Sequence, residues 1–148
     1  MRRLMLAVLP VVFACAKGGE APADSAAMAA APAPVTDADV AGTWTGMFKP
    51  DGQDSTFAFT DICGGGTCRL IAANAPTDTV TSTYTIDADS VHGVSTPYVD
   101  KTMGNATLID HWIARPKAGQ VTGRGWMVLA SKPDSVVLRY TFTATRNP

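Results

Sequence analysis

In two stretches of the chain, polar side chains alternate with largely apolar ones. In residues 79–86 threonine occupies every odd position, and the even positions are Val80, Ser82, Tyr84 and Ile86. Residues 135–145 repeat the pattern, with a largely polar face opposite Val136, Leu138, Tyr140, Phe142 and Ala144. Side chains on a β-strand point alternately to its two faces, so this period of two predicts antiparallel strands buried on one side only.

Weaker stretches of the same kind bring the predicted strands to about eight. Turn-forming Gly, Pro and Asp residues separate them, for example at 49–52 and 132–134. Glu20 is the only glutamate in the chain, and aspartate favours turns over helix interiors. We therefore predict an all-β domain over residues 41–148, an up-and-down antiparallel meander that forms a small barrel, with a β-sandwich as the alternative. The weaker stretches are 42–49, 55–62, 68–73, 90–95, 107–115 and 120–129.

The first fourteen residues have the features of an export signal. Arg2 and Arg3 precede an apolar run at 4–13. That run is too short to span a bilayer, which needs about 20 residues, but it has the length of a signal-peptide core. The tetrapeptide at 12–15, Val-Phe-Ala-Cys, resembles the lipobox of bacterial lipoproteins, in which a small residue precedes an invariant cysteine.

That resemblance implies a lipid anchor on Cys15. The thiol would receive a diacylglyceryl group, cleavage would follow Ala14, and the new amine would take an acyl chain such as palmitate. Two or more chains give stable anchoring to a bilayer. Ala16, where an aspartate would retain the protein at the inner membrane, implies the outer membrane by similarity to Gram-negative sorting. The alternative is an ordinary secretory signal, cut near Ala14-Cys15-Ala16, that releases a soluble protein.

A tether is predicted between the signal and the domain. Residues 15–40 are rich in Ala and Pro and contain few large apolar side chains. Such a segment cannot bury enough surface to become ordered. We therefore expect a disordered tether as far as residue 40, which holds the domain off the membrane.

The start of the domain resembles the first strand of lipocalin-like and avidin-like barrels. Gly42-Thr43-Trp44 matches the Gly-x-Trp that opens those barrels. In those families the tryptophan closes one end of the barrel and packs against an arginine of the last strand. The resemblance implies the same closure here between Trp44 and Arg146, whose strands would be antiparallel neighbours and whose side chains would meet by cation–π stacking.

Cys63 and Cys68 are the pair left once Cys15 carries lipid. An even pair in an oxidising compartment predicts a disulfide, and the glycines at 64–66 allow the chain to turn between the two sulfurs. A redox-active or metal-binding pair is the alternative.

No catalytic or metal-binding pattern stands out. His92 and His111 are the only histidines, and Asp110 beside His111 would point to the opposite face of its strand. Ser90 and His92 lack the Gly-x-Ser-x-Gly turn of a hydrolase. We therefore expect no enzyme activity, no metal and no cofactor. A formal net charge of −1 also argues against nucleic acid as a partner.

The sequence thus predicts a membrane-tethered lipoprotein that faces the periplasm or the cell surface. Its partners would be the bilayer, through Cys15, and a small apolar ligand held in the barrel. The alternative function is an envelope interaction or structural protein that uses the outer face of the barrel and takes no small molecule.

Overall fold

The computed structural model describes residues 33–148, so the signal, Cys15 and most of the predicted tether lie outside the described residues. One short helix is followed by nine strands. They are α1 (Asp37–Val40), β1 (Gly42–Pro50), β2 (Phe57–Gly64), β3 (Thr67–Ala72), β4 (Thr79–Asp87), β5 (Ser90–Ser95), β6 (Tyr98–Asp100), β7 (Ala106–Lys117), β8 (Gln120–Leu129) and β9 (Lys132–Arg146).

The strands form a closed antiparallel barrel. Each of β1 to β4 pairs with the next strand, β5 pairs with β7, and β7, β8 and β9 follow in order. The ring closes where β9 pairs with β1, from Trp44 opposite Arg146 to Pro50 opposite Tyr140. The predicted barrel of eight strands is confirmed, and the β-sandwich is excluded. Closure leaves no unpaired strand edge in the ring.

The strand β6 is an addition that the sequence pattern did not predict. It pairs with the start of β7, while β5 pairs further along the same strand. From the pair Val94–His111 to the pair Tyr98–Leu108, the β5–β6 side advances four residues and β7 advances three. The extra residue makes this a bulge, and Pro97, which has no N–H to donate, lies in it.

The predicted turn at 132–134 is wrong, because these residues belong to β9. The hairpin closes instead at residues 130–131, with Leu129 opposite Lys132. The next pair joins Val128 to Val136, so residues 133–135 have no partner on β8. Pro133 and its neighbours therefore form a bulge inside the strand, and a bulge is one of the places where a sheet tolerates proline.

The boundary between tether and domain also differs from the prediction, since residues 35–40 pack on the barrel. The Val35 N–H donates to the Ala88 carbonyl at 2.9 Å. The Tyr84 hydroxyl donates to Asp37, and Val40 at the end of α1 is only 6% exposed. This segment has few apolar residues and was therefore predicted to be disordered. One buried valine and a set of backbone hydrogen bonds are enough to order it on the barrel.

The inner and outer faces of β4 are as the alternation predicts, and so are those of β9 from Leu138 to Ala144. Val136, which the pattern assigned to the inner face, is 39% exposed beside the bulge. On β4 the four threonines are exposed, whereas Ser82 and Tyr84 are buried. The turns at 65–66, 88–89 and 118–119 lie at the end of the barrel that α1 covers, and the loops at 51–56, 73–78 and 101–105 surround the other end, which we call the mouth. No helix within residues 33–148 is long and apolar enough to cross a membrane.

Candidate ligand-binding cavity

The barrel is hollow. Its interior holds a cavity of about 930 Å³ that runs from Val40 and Trp44 at the covered end to the loops of the mouth. Eight strands give an interior that side chains just fill or that holds one small ligand. Here several inward positions carry small side chains, among them Ala72, Ser82 and Ala114, which leaves the space open.

The aromatic side chains lie against the barrel wall, over glycines of the neighbouring strand. Trp112 is paired with Gly93, and Tyr140 with Gly125. A Cβ on either glycine would overlap the ring beside it, so only glycine fits. This arrangement lays each ring along the sheet, and the cavity gains an aromatic lining without being filled.

Trp44 and Arg146 meet at the covered end. The guanidinium carbon of Arg146 lies 5.3 Å from the centroid of the Trp44 ring, within the range of a cation–π contact. The Trp44 indole N–H donates to the Val40 carbonyl at 2.8 Å, and Arg146 donates to the carbonyls of Ala38 and Ala41. The two residues therefore hold α1 in place, and α1 closes this end of the cavity.

A buried carboxyl, Asp110 on β7, lies in the wall of the cavity. Asp110 is only 7% exposed, and its Oδ2 accepts a 2.7 Å hydrogen bond from the Tyr140 hydroxyl. Its backbone N–H donates to the Ser95 hydroxyl at 2.8 Å, which replaces the ladder bond that the β5–β6 bulge interrupts. Its Oδ1 is buried and has no hydrogen-bond partner among the described residues.

A second carboxyl, Asp61 on β2, lines the cavity from the opposite wall. In the ring of eight strands, β2 and β7 are four strands apart in either direction. The Oδ1 of Asp61 is likewise buried without a partner among residues 33–148.

The surroundings of both carboxyls raise their pKa values toward neutral pH. Burial raises the pKa of Asp61 to about 6, against a weaker opposing effect of the Ile62 backbone N–H. Burial also raises the pKa of Asp110 to about 7, with a further contribution from the negative charge of Asp61. Desolvation favours the neutral form of a carboxyl, so the cost of two charges in the cavity is what moves these values.

The other acids that line the cavity lie at the mouth and have hydrogen-bond partners there. Asp78 forms an ion pair with Lys101 at 2.8 Å. Asp100 accepts hydrogen bonds from the backbone and hydroxyl of Thr102 and from the Met103 N–H. Asp61 and Asp110 are thus the acids whose oxygens remain available to something inside the barrel.

Cys63 and Cys68 form a disulfide that closes the β2–β3 hairpin. They are direct partners across the two strands, with Cα atoms 4.1 Å apart. Asp61 lies close enough to both sulfurs for the three residues to have the spacing of a metal site. Sulfurs joined in a disulfide are not thiolates, and thiolate is the form of cysteine that binds metal. The oxidised pair therefore stabilises the hairpin and does not make a metal centre.

The remaining residues considered from the sequence lie outside the cavity. His92 Nε2 is 3.1 Å from the Ser90 hydroxyl, but Asp89 pairs with Arg115 and does not complete a triad. His111 stacks on Trp126, with ring centroids 5.4 Å apart and planes within 4°.

Sequence reasoning missed Asp61 and Asp110 as a site, although the signal was present. Asp110 lies in phase with Leu108 and Trp112, on the face that the alternation assigns to the interior. Asp61 lies in phase with Phe57 and Phe59 in the same way. A charged residue in the apolar phase of a strand is rarely buried without a reason.

Comparison of the chain with protein families, with characterised proteins and with solved structures finds no match.

Proposed function

We propose that this chain is a membrane-tethered lipoprotein whose barrel binds a small, largely apolar ligand. The observation that carries the proposal is the cavity. Its volume of about 930 Å³ lies within the range of small-molecule sites, roughly 300–1,000 Å³. A barrel that served only as a scaffold would fill its interior with side chains, because packing contacts stabilise the fold.

The lining supports an apolar or amphipathic ligand. Most of the residues that line the cavity are aliphatic or aromatic. Most of the polar ones belong to the loops of the mouth, and Asp61 and Asp110 are the acids that lie deeper. This combination is typical of sites in which apolar contacts give affinity and a few polar groups fix orientation. The aromatic and aliphatic residues of the wall include Phe48, Phe59, Leu70, Val80, Trp112 and Phe142.

Binding can be tested with a neutral fluorescent probe. Residues 16–148, exported to a bacterial periplasm so that the disulfide forms, should enhance the fluorescence of N-phenyl-1-naphthylamine with saturation at one probe per chain. Val80→Phe places a ring in the cavity and should weaken probe binding about ten-fold or more.

The matched control is Thr81→Phe, because Thr81 is the next residue on β4 and faces the solvent. It adds the same ring to the outer face and should leave probe binding unchanged. Equal loss in both variants, or no saturable binding by the unaltered chain, would reject a ligand cavity. The second result would favour the envelope interaction protein.

A further inference from the structure

The charges in the cavity are unbalanced. Of the described residues that line it, Lys101 is the only one with a positive charge, and its ammonium is paired with Asp78 at the mouth. Deeper in the barrel, Asp61 and Asp110 each have a buried oxygen with no donor. The interior therefore offers acceptors and negative charge to a ligand, and no cation of its own.

We propose that the ligand carries a protonated amine, which binds Asp110 deep in the cavity, while the apolar body of the ligand lies along the aromatic wall. This inference rests on the proposed function and specifies the chemical class of the ligand. It excludes fatty acids and other anionic amphiphiles as the preferred occupants.

No donor within residues 33–148 reaches the Oδ1 of Asp110. The Tyr140 hydroxyl already donates to Oδ2, and the Tyr98 hydroxyl donates to the Met127 sulfur at 3.6 Å. An ammonium has three donors and no acceptor, so it can reach the free Oδ1 and a second acceptor at the same time. Charge-assisted bonds of this kind are roughly twice as strong as neutral ones.

The rings beside Asp110 also favour a cation. Tyr140 and Trp112 flank the residue, and Tyr98 lies near enough for the negative charge of Asp110 to raise the pKa of its hydroxyl. The faces of aromatic rings attract cations, most strongly where water is excluded. An anionic head group in the same place would meet the two carboxyls.

The groups that face Asp110 make amine binding depend on pH. They are Asp61 on β2, Tyr98 on β6 and Tyr140 on β9, and burial raises the pKa of both tyrosines above its ordinary value, so that neither carries charge near neutrality. An ammonium stabilises the ionised form of Asp110, and binding near neutral pH therefore releases a proton to the solvent.

Three ligands of equal chain length test the proposal: decylamine, decanol and decanoate, each measured by displacement of N-phenyl-1-naphthylamine from residues 16–148. At about pH 8 the dissociation constant of decylamine should be lower than that of decanol by a factor of about ten or more, because decylamine adds a charge-assisted hydrogen bond. Decanoate should bind more weakly than decanol. As the pH falls to about 5 and Asp110 takes up a proton, the advantage of decylamine should disappear while decanol binding stays constant.

Asp110→Asn keeps the shape of the side chain and removes its charge. It should remove most of the preference for decylamine over decanol, and continued displacement of the probe by decanol would show that the variant is folded. Asp61→Asn should reduce the preference for decylamine in part. The control is Asp87→Asn, which removes one charge from an exposed residue at the covered end and should change nothing.

The outcomes separate the two proposals. If decanol displaces the probe but decylamine binds no better, or if Asp110→Asn leaves the preference intact, the amine assignment is overturned and the ligand cavity stands. If neither the probe nor any of the three ligands binds, the proposed function fails and the amine assignment fails with it.

Discussion

Asp110 links the stability of the barrel to the ligand binding that we propose for it. A carboxyl that is 7% exposed and has one free oxygen opposes folding whenever it is ionised. Replacing it by an apolar residue would relieve that cost. A residue that costs stability and lies in a cavity is a candidate for function, because function is the usual reason for such a residue to be kept.

The pH dependence of stability should reveal this cost. Burial raises the pKa of Asp110 from 3.8 to about 7 in the folded chain. A raised value means that the folded state holds the proton more tightly, so its contribution to stability is complete below about pH 4 and is lost as the pH rises through 7. For residues 16–148 without ligand, Asp110 should lower the free energy of unfolding in urea by roughly 2–3 kcal/mol between about pH 5 and pH 8, and Asp61 should add a smaller fall in the same range.

Asp110→Asn should remove most of that fall, because the amide does not titrate. The other titratable groups are present in both proteins and largely cancel in the difference. An equal fall in both proteins would mean that Asp110 is ionised at the same pH folded and unfolded.

At the scale of the element, the β2–β3 hairpin combines a tight turn with a covalent link. Gly64 pairs with Thr67, so the turn consists of Gly65 and Gly66, with φ of 60° and 79°. Two consecutive positive φ angles are those of a type I′ turn, whose twist matches that of the flanking strands. The turn brings Cys63 opposite Cys68, and the disulfide then joins them. The three glycines in the sequence predicted a tight turn, and the register shows which two of them form it.

Substitutions at Gly65 should separate backbone conformation from packing. A Cβ at this position would meet no atom within 4 Å, so any cost must come from the positive φ. Gly65→Asn should be nearly neutral, since asparagine tolerates this conformation, whereas Gly65→Val should destabilise the chain by about 1–2 kcal/mol. Urea unfolding under oxidising conditions measures both. Equal stability of the two variants would contradict the assignment of the turn.

At the scale of the whole molecule, the covered end and the mouth have different roles. α1, Trp44 and Arg146 close one end through hydrogen bonds to the backbone carbonyls of Val40, Ala38 and Ala41. The loops of the other end belong to the cavity wall and give a ligand its way in. In the proposed function, a ligand would enter at the mouth and its polar head would reach Asp110 on the inside of β7.

The anchor on Cys15 is a prediction about the whole molecule that the described residues do not reach. Expressed with its own signal in a Gram-negative host, the chain should be labelled by palmitate and should fractionate with the outer membrane. Cys15→Ser should abolish the label and leave the protein out of the lipid-labelled membrane fraction. The control is Cys63→Ser with Cys68→Ser, which should keep the label. An unlabelled, soluble protein from the unaltered gene would support the ordinary secretory signal.

The sequence by itself determined the eight strands of the ring, most of their inner and outer faces and the disulfide, because these depend on local periodicity and on neighbours only a few residues apart. The resemblance of the first strand to that of lipocalin-like and avidin-like barrels also indicated the closure by Trp44 and Arg146. Only the tertiary structure decided that the interior is hollow, because this depends on how rings and glycines of paired strands fit together. It alone brought Asp61 and Asp110 to opposite walls of one cavity, from strands far apart in the chain, where burial makes their charge significant.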